Sequence, residues 1–249
     1  MIIALIQARM SSSRLPGKVL KLVRGKSALA RVVERVRRAR TPQMVAVATT
    51  TNASDDAIER ACAALGTLCF RGQEHDVLHR FYVAAKLYGG DAIMRVTADC
   101  PLIDPMVVDA VGDVFGRGEH DYVANINPPT YPDGLDVELF TFAALESAWR
   151  GARLRSEREH VTLYIRNHPE LFRIGNIRCD RDLSHLRWTV DEPRDLEFVE
   201  AVYERLGDGP FGLEETLSLV EREKGLTRLN SGIMRDTGLM KSLAADSVE

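Results

Sequence analysis

A group of cations and hydroxyls near the N-terminus has the composition of an anion-binding loop. Arg9, Arg14 and Lys18 surround three consecutive hydroxyl residues, Ser11–Ser13, and the turn pair Pro16-Gly17. Serine hydroxyls and backbone N–H groups can donate to phosphate oxygens, and the cations can neutralise their charge. The loop therefore predicts a polyphosphate site, although an ordinary strand-to-helix loop with surface cations could contain the same residues.

Two aspartates that are far apart in the chain share a local setting. Asp99 follows the apolar run Ala92–Val96, Asp191 follows Leu186–Val190, and each stands two residues before a proline. If both runs are strands, the two carboxylates lie at their carboxyl ends, where open α/β sheets bind ligands. Carboxylates beside phosphate oxygens suit Mg²⁺, whereas a single aspartate at such a point could simply cap a helix.

The first half of the chain alternates short apolar runs with helical patterns, which predicts a mostly parallel sheet with helices on both faces. We expect strands at Ile2–Ile6, Met44–Thr49, Thr67–Phe70, Ala92–Val96 and Tyr122–Ala124. We expect helices at Ala28–Arg40, Asp55–Ala64, Asp76–Tyr88 and Pro105–Phe115, with Ser54 and Asp104 as N-caps.

The second half gives a weaker pattern. Asn125–Asp136 is rich in proline and asparagine, which predicts an exposed loop. Further helices are expected at Thr141–Trp149, Ser156–Asn167, Asp195–Arg205 and Leu213–Glu223, and a pair of strands in a small second layer at Leu171–Ile177 and Leu186–Val190. We expect one domain over residues 1–225, an extension over about 125–185 and a C-terminal tail over 226–249.

Composition argues against several classes of protein. The 249 residues are 45% hydrophobic, yet no apolar run reaches the ~18 residues of a membrane span, and no basic segment precedes the first apolar run as in a secretory signal. Four cysteines without a CxxC pair indicate a reducing compartment. We therefore expect a cytoplasmic protein without a membrane or nucleic-acid partner, since no nucleic-acid motif is present either.

Positive charge is concentrated near the N-terminus. The segment from Arg9 to Arg40 contains eleven Lys/Arg residues and one acid, although the net charge is −3. This imbalance favours a basic entrance for a small anion. Arg35, Arg37, Arg38 and Arg40 are expected on a solvated helix face. Neither GxGxxG after the first strand nor GxxxxGK[ST] is present, so the common glycine-rich nucleotide motifs are excluded.

Several segments resemble the cytidylyltransferases related to CMP-KDO and CMP-sialate synthetases. The resemblance is carried by ALIQARMSSSRLPGKVL, RVTADCPLID, WTVDEPRDL, YPDGLDVE, SEREHVT and NSGIMRDTGLMKSL. It is closest to the branch called spore coat polysaccharide biosynthesis protein F. It implies a three-layer α/β/α, Rossmann-like fold of the nucleotide-diphospho-sugar transferase type. It also implies a homodimer that uses Mg²⁺ to transfer CMP from CTP to an acidic sugar, with release of pyrophosphate, in surface polysaccharide or glycoconjugate biosynthesis.

The resemblance also implies roles for individual residues. Arg14, Lys18, Asp99 and Asp191 are the expected catalytic set, in which the two aspartates hold the metal. The expected nucleotide-binding residues are Gln7, Ala8, Arg9, Ser11, Ser12, Ser13, Arg14, Lys18, Thr97 and Asp99. The expected acceptor-binding residues are Tyr131, Asp133, Asp136, Glu138, Arg158, Glu159 and His160. Arg158 would pair with an acceptor carboxylate and His160 would assist proton removal, although both could instead be surface or packing residues.

One departure from the family pattern leaves the substrates open. Thr97 stands where many sugar-acid synthetases carry glutamine, and Arg95 precedes it. A phosphonate or other anionic acceptor and a different nucleotide are alternatives. The protein could also be a glycosyltransferase of similar fold, since Asp180-Arg-Asp182 matches the DxD motif of such enzymes, or a non-catalytic nucleotide-binding protein.

Overall fold

The computed structural model describes residues 1–246, so the last three residues of the predicted tail lie outside the described part. Its centre is a sheet of seven strands in the order β5-β4-β1-β6-β8-β7-β9. These strands are β1 (Ile2–Gln7), β4 (Met44–Thr50), β5 (Leu68–Gly72), β6 (Ala92–Thr97), β7 (Tyr122–Ala124), β8 (Glu138–Thr141) and β9 (Ile174–Asn176). A separate short hairpin is formed by β2 (Leu22–Val23) and β3 (Lys26–Ser27).

Eleven α-helices are present within residues 1–246. They are α1 (Ala28–Val36), α2 (Asp56–Ala64), α3 (Val77–Tyr88), α4 (Pro105–Phe115), α5 (Phe142–Gly151), α6 (Arg155–Glu159), α7 (Leu163–Asn167), α8 (Pro193–Leu206), α9 (Leu213–Arg222), α10 (Gly225–Arg228) and α11 (Thr237–Ala244). No helix among the described residues is long and apolar enough to cross a membrane.

The alternation of side chains along β1 divides the core between the two faces of the sheet. Ala4 and Ile6 pack into one cluster with α1, α4 and α8, whereas Ile3 and Leu5 pack into another with α3 and α5. β1 pairs in parallel with β4 on one side and β6 on the other. The predicted three-layer α/β/α fold with a mostly parallel sheet is therefore confirmed.

The strand β8 is inserted antiparallel between β6 and β7. The irregular loop Asn125–Asp136 leads into it, and the Asn125 amide fixes this loop by donating to the Leu135 carbonyl and accepting from the Val137 N–H. The loop was predicted, but the short strand after it was not. A four-residue strand that begins with a charged residue, Glu138, gives no clear alternation.

The predicted strand Leu186–Val190 is wrong. All its residues except Leu186 are buried, but they pair with loops instead of a strand: the Trp188 N–H donates to the Asp133 carbonyl at 2.6 Å, and the Val190 N–H donates to the Asp99 carbonyl at 2.7 Å. The predicted second layer is also wrong, because β9 covers only the middle of Leu171–Ile177 and joins the main sheet beside β7.

Three local predictions also need correction. The helix expected over Ser156–Asn167 is broken at His160, where φ and ψ are −105° and 76°, into α6 and α7. Ser54 lies inside a short 3₁₀ turn, and Asp55 takes the position before α2. Arg35 is not solvated but only 2% exposed, because its guanidinium donates to the carbonyls of Ile103 and Phe211.

Candidate active site

The predicted phosphate loop follows the carboxyl end of β1, and the carboxylate of Asp55 binds its backbone at Met10. This carboxylate accepts from the Met10 N–H at 2.8 Å and from the hydroxyls of Thr49 and Thr50, at the end of β4. Burial would raise the pKa of Asp55, but these hydrogen bonds, led by that of Thr50, lower it. At the other end, the Gly17 N–H donates to the Met10 carbonyl at 3.0 Å and closes the loop.

A polar cavity of about 450 Å³ lies against this loop. Its lining residues are Gln7, Arg9, Ser11, Ser12, Ser13, Arg14, Lys18, Val19, Thr97, Asp99, Asp191, Thr237, Gly238 and Lys241. The predicted nucleotide-binding residues therefore surround one cavity, except for Ala8, which is buried beside it. Three of the lining residues come from α11 at the opposite end of the chain, and sequence reasoning did not place them there.

Lys18, Asp99 and Asp191 meet in this cavity. The Lys18 Nζ donates to Asp99 Oδ2 at 2.5 Å and to Asp191 Oδ1 at 2.6 Å. Burial opposes the charge of Lys18, but the two carboxylates outweigh it and raise its pKa. Burial would likewise raise the pKa of Asp99, and the charge and hydrogen bond of Lys18 lower it to about 2. Lys18 and Asp99 are therefore both charged at neutral pH.

The position of Asp191 depends on a buried network that the sequence did not reveal. The Arg187 guanidinium donates to Asp191 Oδ2 at 3.0 Å, to Asp195 Oδ1 at 2.9 Å and to Asp133 Oδ2 at 2.7 Å. Asp195 in turn accepts from the backbone N–H of Asp191 at 2.9 Å. The one available signal was Asp195 three residues after Glu192, the spacing of a helix-capping box.

The two aspartates are placed so that both can reach one cation. Their oxygens already converge on one cation, the ammonium of Lys18, at 2.5 Å from Asp99 Oδ2 and 2.6 Å from Asp191 Oδ1. No cluster of three or more His, Cys, Asp or Glu side chains suited to a metal is found among residues 1–246. Two carboxylates fit Mg²⁺, provided that phosphate oxygens and water complete its shell.

A second cavity, of about 220 Å³, adjoins the first at Asp99 and Asp191. Six residues line both: Arg14, Thr97, Asp99, Asp191, Thr237 and Gly238. The predicted acceptor residues Asp133, Asp136, Glu138 and His160 line the second cavity, together with Arg95, Thr162 and Arg166. A molecule in one cavity would therefore meet a molecule in the other beside the two aspartates.

Three predicted acceptor residues lie outside this second cavity. Arg158 pairs with Asp76, donates to the Trp149 carbonyl at 2.8 Å and lines a separate cavity of about 700 Å³ together with Glu159. Tyr131 borders yet another cavity, of about 770 Å³. The break between α6 and α7 explains the position of Arg158, because it separates this side chain from the residues of α7.

The acids of the second cavity differ in their surroundings. Burial raises the pKa of Asp133 to about 6 and that of Asp136 to about 7. Burial would also raise the pKa of Glu138, but the charge of its ion-pair partner Arg95 lowers it. Glu138 therefore remains an anion that holds Arg95 in place, and a hydrogen bond of 2.8 Å from the Tyr122 hydroxyl supports it.

Two other features of the second cavity bear on its ligand. Arg166, on α7, lines the cavity and forms no ion pair within the described residues, and sequence reasoning did not single it out. His160 contacts the Ser242 hydroxyl at 3.0 Å, and burial lowers the pKa of its imidazole. The cavity therefore contains both an available cation and a neutral imidazole.

The sequence matches known proteins over almost its whole length. The cytidylyltransferase family profile matches residues 3–225. Spore coat polysaccharide biosynthesis protein SpsF of Bacillus subtilis (strain 168) is 33% identical, over 89% of this chain and 94% of that protein. A 3-deoxy-manno-octulosonate cytidylyltransferase of Anaeromyxobacter dehalogenans (strain 2CP-C) is 29% identical, over 87% of this chain and 96% of that protein.

Solved structures show the same similarity. A cytidylyltransferase of Leptospira borgpetersenii superposes with a TM-score of 0.88 at 31% identity, covering 94% of this chain and 99% of that one. Two more distant structures share the fold. A CMP:2-keto-3-deoxy-manno-octonic acid synthetase complexed with CTP has a TM-score of 0.64 at 18% identity, covering 82% of this chain and 99% of that one. Rv0371c of Mycobacterium tuberculosis complexed with manganese has a TM-score of 0.57 at 16% identity, covering 80% of this chain and 98% of that one. The chain is therefore a member of the cytidylyltransferase family of nucleotidyltransferases.

Proposed function

We propose that this protein is a Mg²⁺-dependent cytidylyltransferase that transfers CMP from CTP to an acidic sugar of the KDO or nonulosonate type and releases pyrophosphate. Its pathway would be surface polysaccharide or glycoconjugate biosynthesis. The observation that carries this proposal is the meeting of two polar cavities at Asp99 and Asp191. One has the cations and hydroxyls of a triphosphate site, and the other has room and charge for a small anionic acceptor.

The reaction requires each cavity to hold one reactant. A hydroxyl oxygen of the acceptor forms a bond to the α-phosphorus of CTP, and the bond from that phosphorus to the α,β-bridging oxygen breaks, so that pyrophosphate leaves. The proton of the hydroxyl passes to His160, whose lowered pKa keeps the imidazole neutral near pH 7 and able to accept it. Holding both reactants in adjoining cavities supplies proximity and orientation.

Negative charge grows on the departing pyrophosphate, and the loop places cations against it. Arg9, Arg14 and Lys18 all line the phosphate cavity, so they stabilise this charge more in the transition state than in the ground state. Mg²⁺ held by Asp99 and Asp191 would supply Lewis-acid polarisation of the phosphate oxygens. The solved neighbour of the same fold that holds manganese is consistent with a divalent ion in this role.

An acidic acceptor fits the cations of the second cavity. Arg166 has no ion-pair partner within the described residues, and Arg95 lies beside it with its charge shared by Glu138. A guanidinium can bind a carboxylate through two parallel hydrogen bonds. The glycosyltransferase alternative has little support, because Asp182 accepts from the Ser184 N–H and hydroxyl and Asp180 borders the cavity of about 770 Å³.

A substrate screen tests the proposal. Pyrophosphate release would be measured with each of the four ribonucleoside triphosphates against a panel of sugar acids and phosphonates, in the presence of Mg²⁺. We expect turnover with CTP and a sugar acid. Turnover with a phosphonate but no sugar acid would show that the proposed acceptor is wrong, and turnover with UTP or GTP alone would show that the proposed nucleotide is wrong. No turnover with any pair would contradict the enzymatic function.

A further inference from the structure

We propose that the C-terminal segment, residues 230–246, is a working part of the active site, and that Lys241 in it binds the β- and γ-phosphates of the nucleotide. This inference rests on the proposed function for the identity of the nucleotide. The family profile ends at residue 225, before this segment begins. The segment nevertheless forms one wall of both cavities.

The beginning of the segment is tied to the network that positions Asp191. The Asn230 side chain is 3% exposed and donates to the Arg187 carbonyl at 2.9 Å and to Asp195 Oδ1 at 3.1 Å. Arg235 then pairs with Asp136 at 2.5 Å. Because these partners belong to the acceptor side of the site, the start of the segment is fixed relative to the reacting centre.

The end of the segment is tied to α6 and to His160, the residue that follows it. The Ser242 hydroxyl contacts the His160 ring at 3.0 Å and donates to Glu159 at 2.9 Å. Beyond it, the Asp246 carboxylate accepts from both the N–H and the hydroxyl of Ser156 at 2.8 Å. The helix α11 is thus held at both ends, along the wall that it contributes to the two cavities.

One face of α11 is directed at the phosphate loop. Thr237 and Lys241 are four residues apart and therefore share this face, and both line the phosphate cavity. The Thr237 hydroxyl accepts from Arg14 Nη1 at 3.1 Å, which joins α11 to the loop directly. A triphosphate in the cavity would accordingly lie between the loop and the helix.

The charges of the cavity explain why Lys241 is the residue to test. Lys18 is paired with Asp99 and Asp191, and Arg14 with Asp191. Lys241 lines the same cavity but forms no ion pair with any residue of the described part of the chain. Its ammonium therefore carries a charge that no carboxylate of residues 1–246 pairs with, and it reaches the cavity from α11 instead of from the loop.

The experiment compares nucleotide binding without an acceptor, so that it is independent of turnover. Dissociation constants for CTP and CMP would be measured by calorimetry with Mg²⁺ for the wild type, Lys241→Ala, Lys241→Arg and Lys224→Ala. Lys224 is an exposed lysine that lines neither cavity and serves as the matched control. Thermal melting would check that each variant is folded.

We expect Lys241→Ala to weaken CTP binding about tenfold, the lower end of the range for a charge-assisted hydrogen bond. It should weaken CMP binding less than twofold, because CMP lacks the β- and γ-phosphates. Lys241→Arg and Lys224→Ala should bind CTP within about threefold of the wild type. CTP binding by Lys241→Ala equal to that of the wild type, or equal losses for CMP and CTP, would overturn the inference. A wild type that binds no CTP would instead overturn the proposed function.

Discussion

Single residues decide how the charges of this site are balanced. The ammonium of Lys18 holds Asp99 and Asp191 together, so two carboxylates can share a cavity without a large cost of repulsion. The Arg187 guanidinium does the same for Asp133, Asp191 and Asp195. The position of each acid therefore depends on one buried cation, which makes charge-altering substitutions the most informative ones.

Asp99→Asn should lower kcat at least about 100-fold while leaving the fold intact. The substitution keeps the side-chain shape but removes the charge that pairs with Lys18 and that would hold the metal, and such electrostatic contributions to catalysis are typically of this size. Steady-state pyrophosphate release and circular dichroism would measure the two properties. Asp113→Asn, at an exposed site of α4, is the control, and activity of Asp99→Asn within a few-fold of the wild type would refute the metal site.

Arg166→Ala should raise the KM for the acceptor at least about tenfold, the loss expected for a charge-assisted hydrogen bond, with little change in the KM for CTP. Arg166 lines the acceptor cavity, whereas Arg158 is already paired with Asp76. Arg158→Lys is therefore the comparison variant, and it should affect the acceptor less. A larger effect on the acceptor from Arg158→Lys would return the carboxylate-binding role to Arg158.

Secondary-structure elements mark the limit of what the sequence could predict. The strands β1, β4 and β6 were predictable because they are buried on both faces and read as continuous apolar runs. Leu186–Val190 has apolar residues at its first, third and fifth positions and is mostly buried, but its hydrogen-bond partners are loops. A pattern of apolar residues indicates that a segment is buried, but it does not indicate which segment its backbone pairs with. This error could therefore not have been avoided from the sequence.

The candidate site likewise contains parts that could be predicted from the sequence and parts that could not. The loop that follows β1 was predictable as one unit because its residues are contiguous. The convergence of Asp99 with Asp191 was predicted from the family resemblance and from two strand ends, of which only the end of β6, before Asp99, exists. The residues proposed for the acceptor were harder to predict, because the break at His160 places Arg166 in the second cavity and Arg158 outside it. Nothing local in the sequence indicates that break.

Asp55→Asn should lower the free energy of unfolding by about 1–3 kcal/mol at pH 7, because buried donors at the start of the phosphate loop lose a charged acceptor. The pKa of Asp55 is lowered in the folded protein, so its stabilising contribution is present above the unfolded pKa and is lost as pH falls through the folded value. The difference between the two proteins should accordingly shrink below about pH 4.

Urea unfolding at pH 7 and at pH 3.5 would measure this difference. Asp56→Asn is a matched control, because the Asp56 carboxylate, next in sequence, is about half exposed and pairs with Arg71. A stability difference for Asp55→Asn that does not change with pH would show that the carboxylate does not act through its charge.

At the scale of the whole molecule, the fold was predicted correctly and the assembly stays a prediction. The family resemblance implies a homodimer in which the mid-chain segment faces the partner. Leu171, in that segment, is 57% exposed and is an apolar side chain that a partner subunit could cover. Sedimentation over a dilution series should give twice the chain mass of 27.8 kDa. A single-chain mass at all concentrations would refute the dimer.

The hydrogen bond between Arg14 and Thr237 joins positions separated by 223 residues. During synthesis on the ribosome, the phosphate loop and the strands around β1 can therefore form well before the residues that complete the cavity have been made. The protein would pass through a stage in which its sheet is assembled but its nucleotide cavity is still open on one side. Nucleotide should therefore bind more weakly to ribosome-bound chains than to the completed protein.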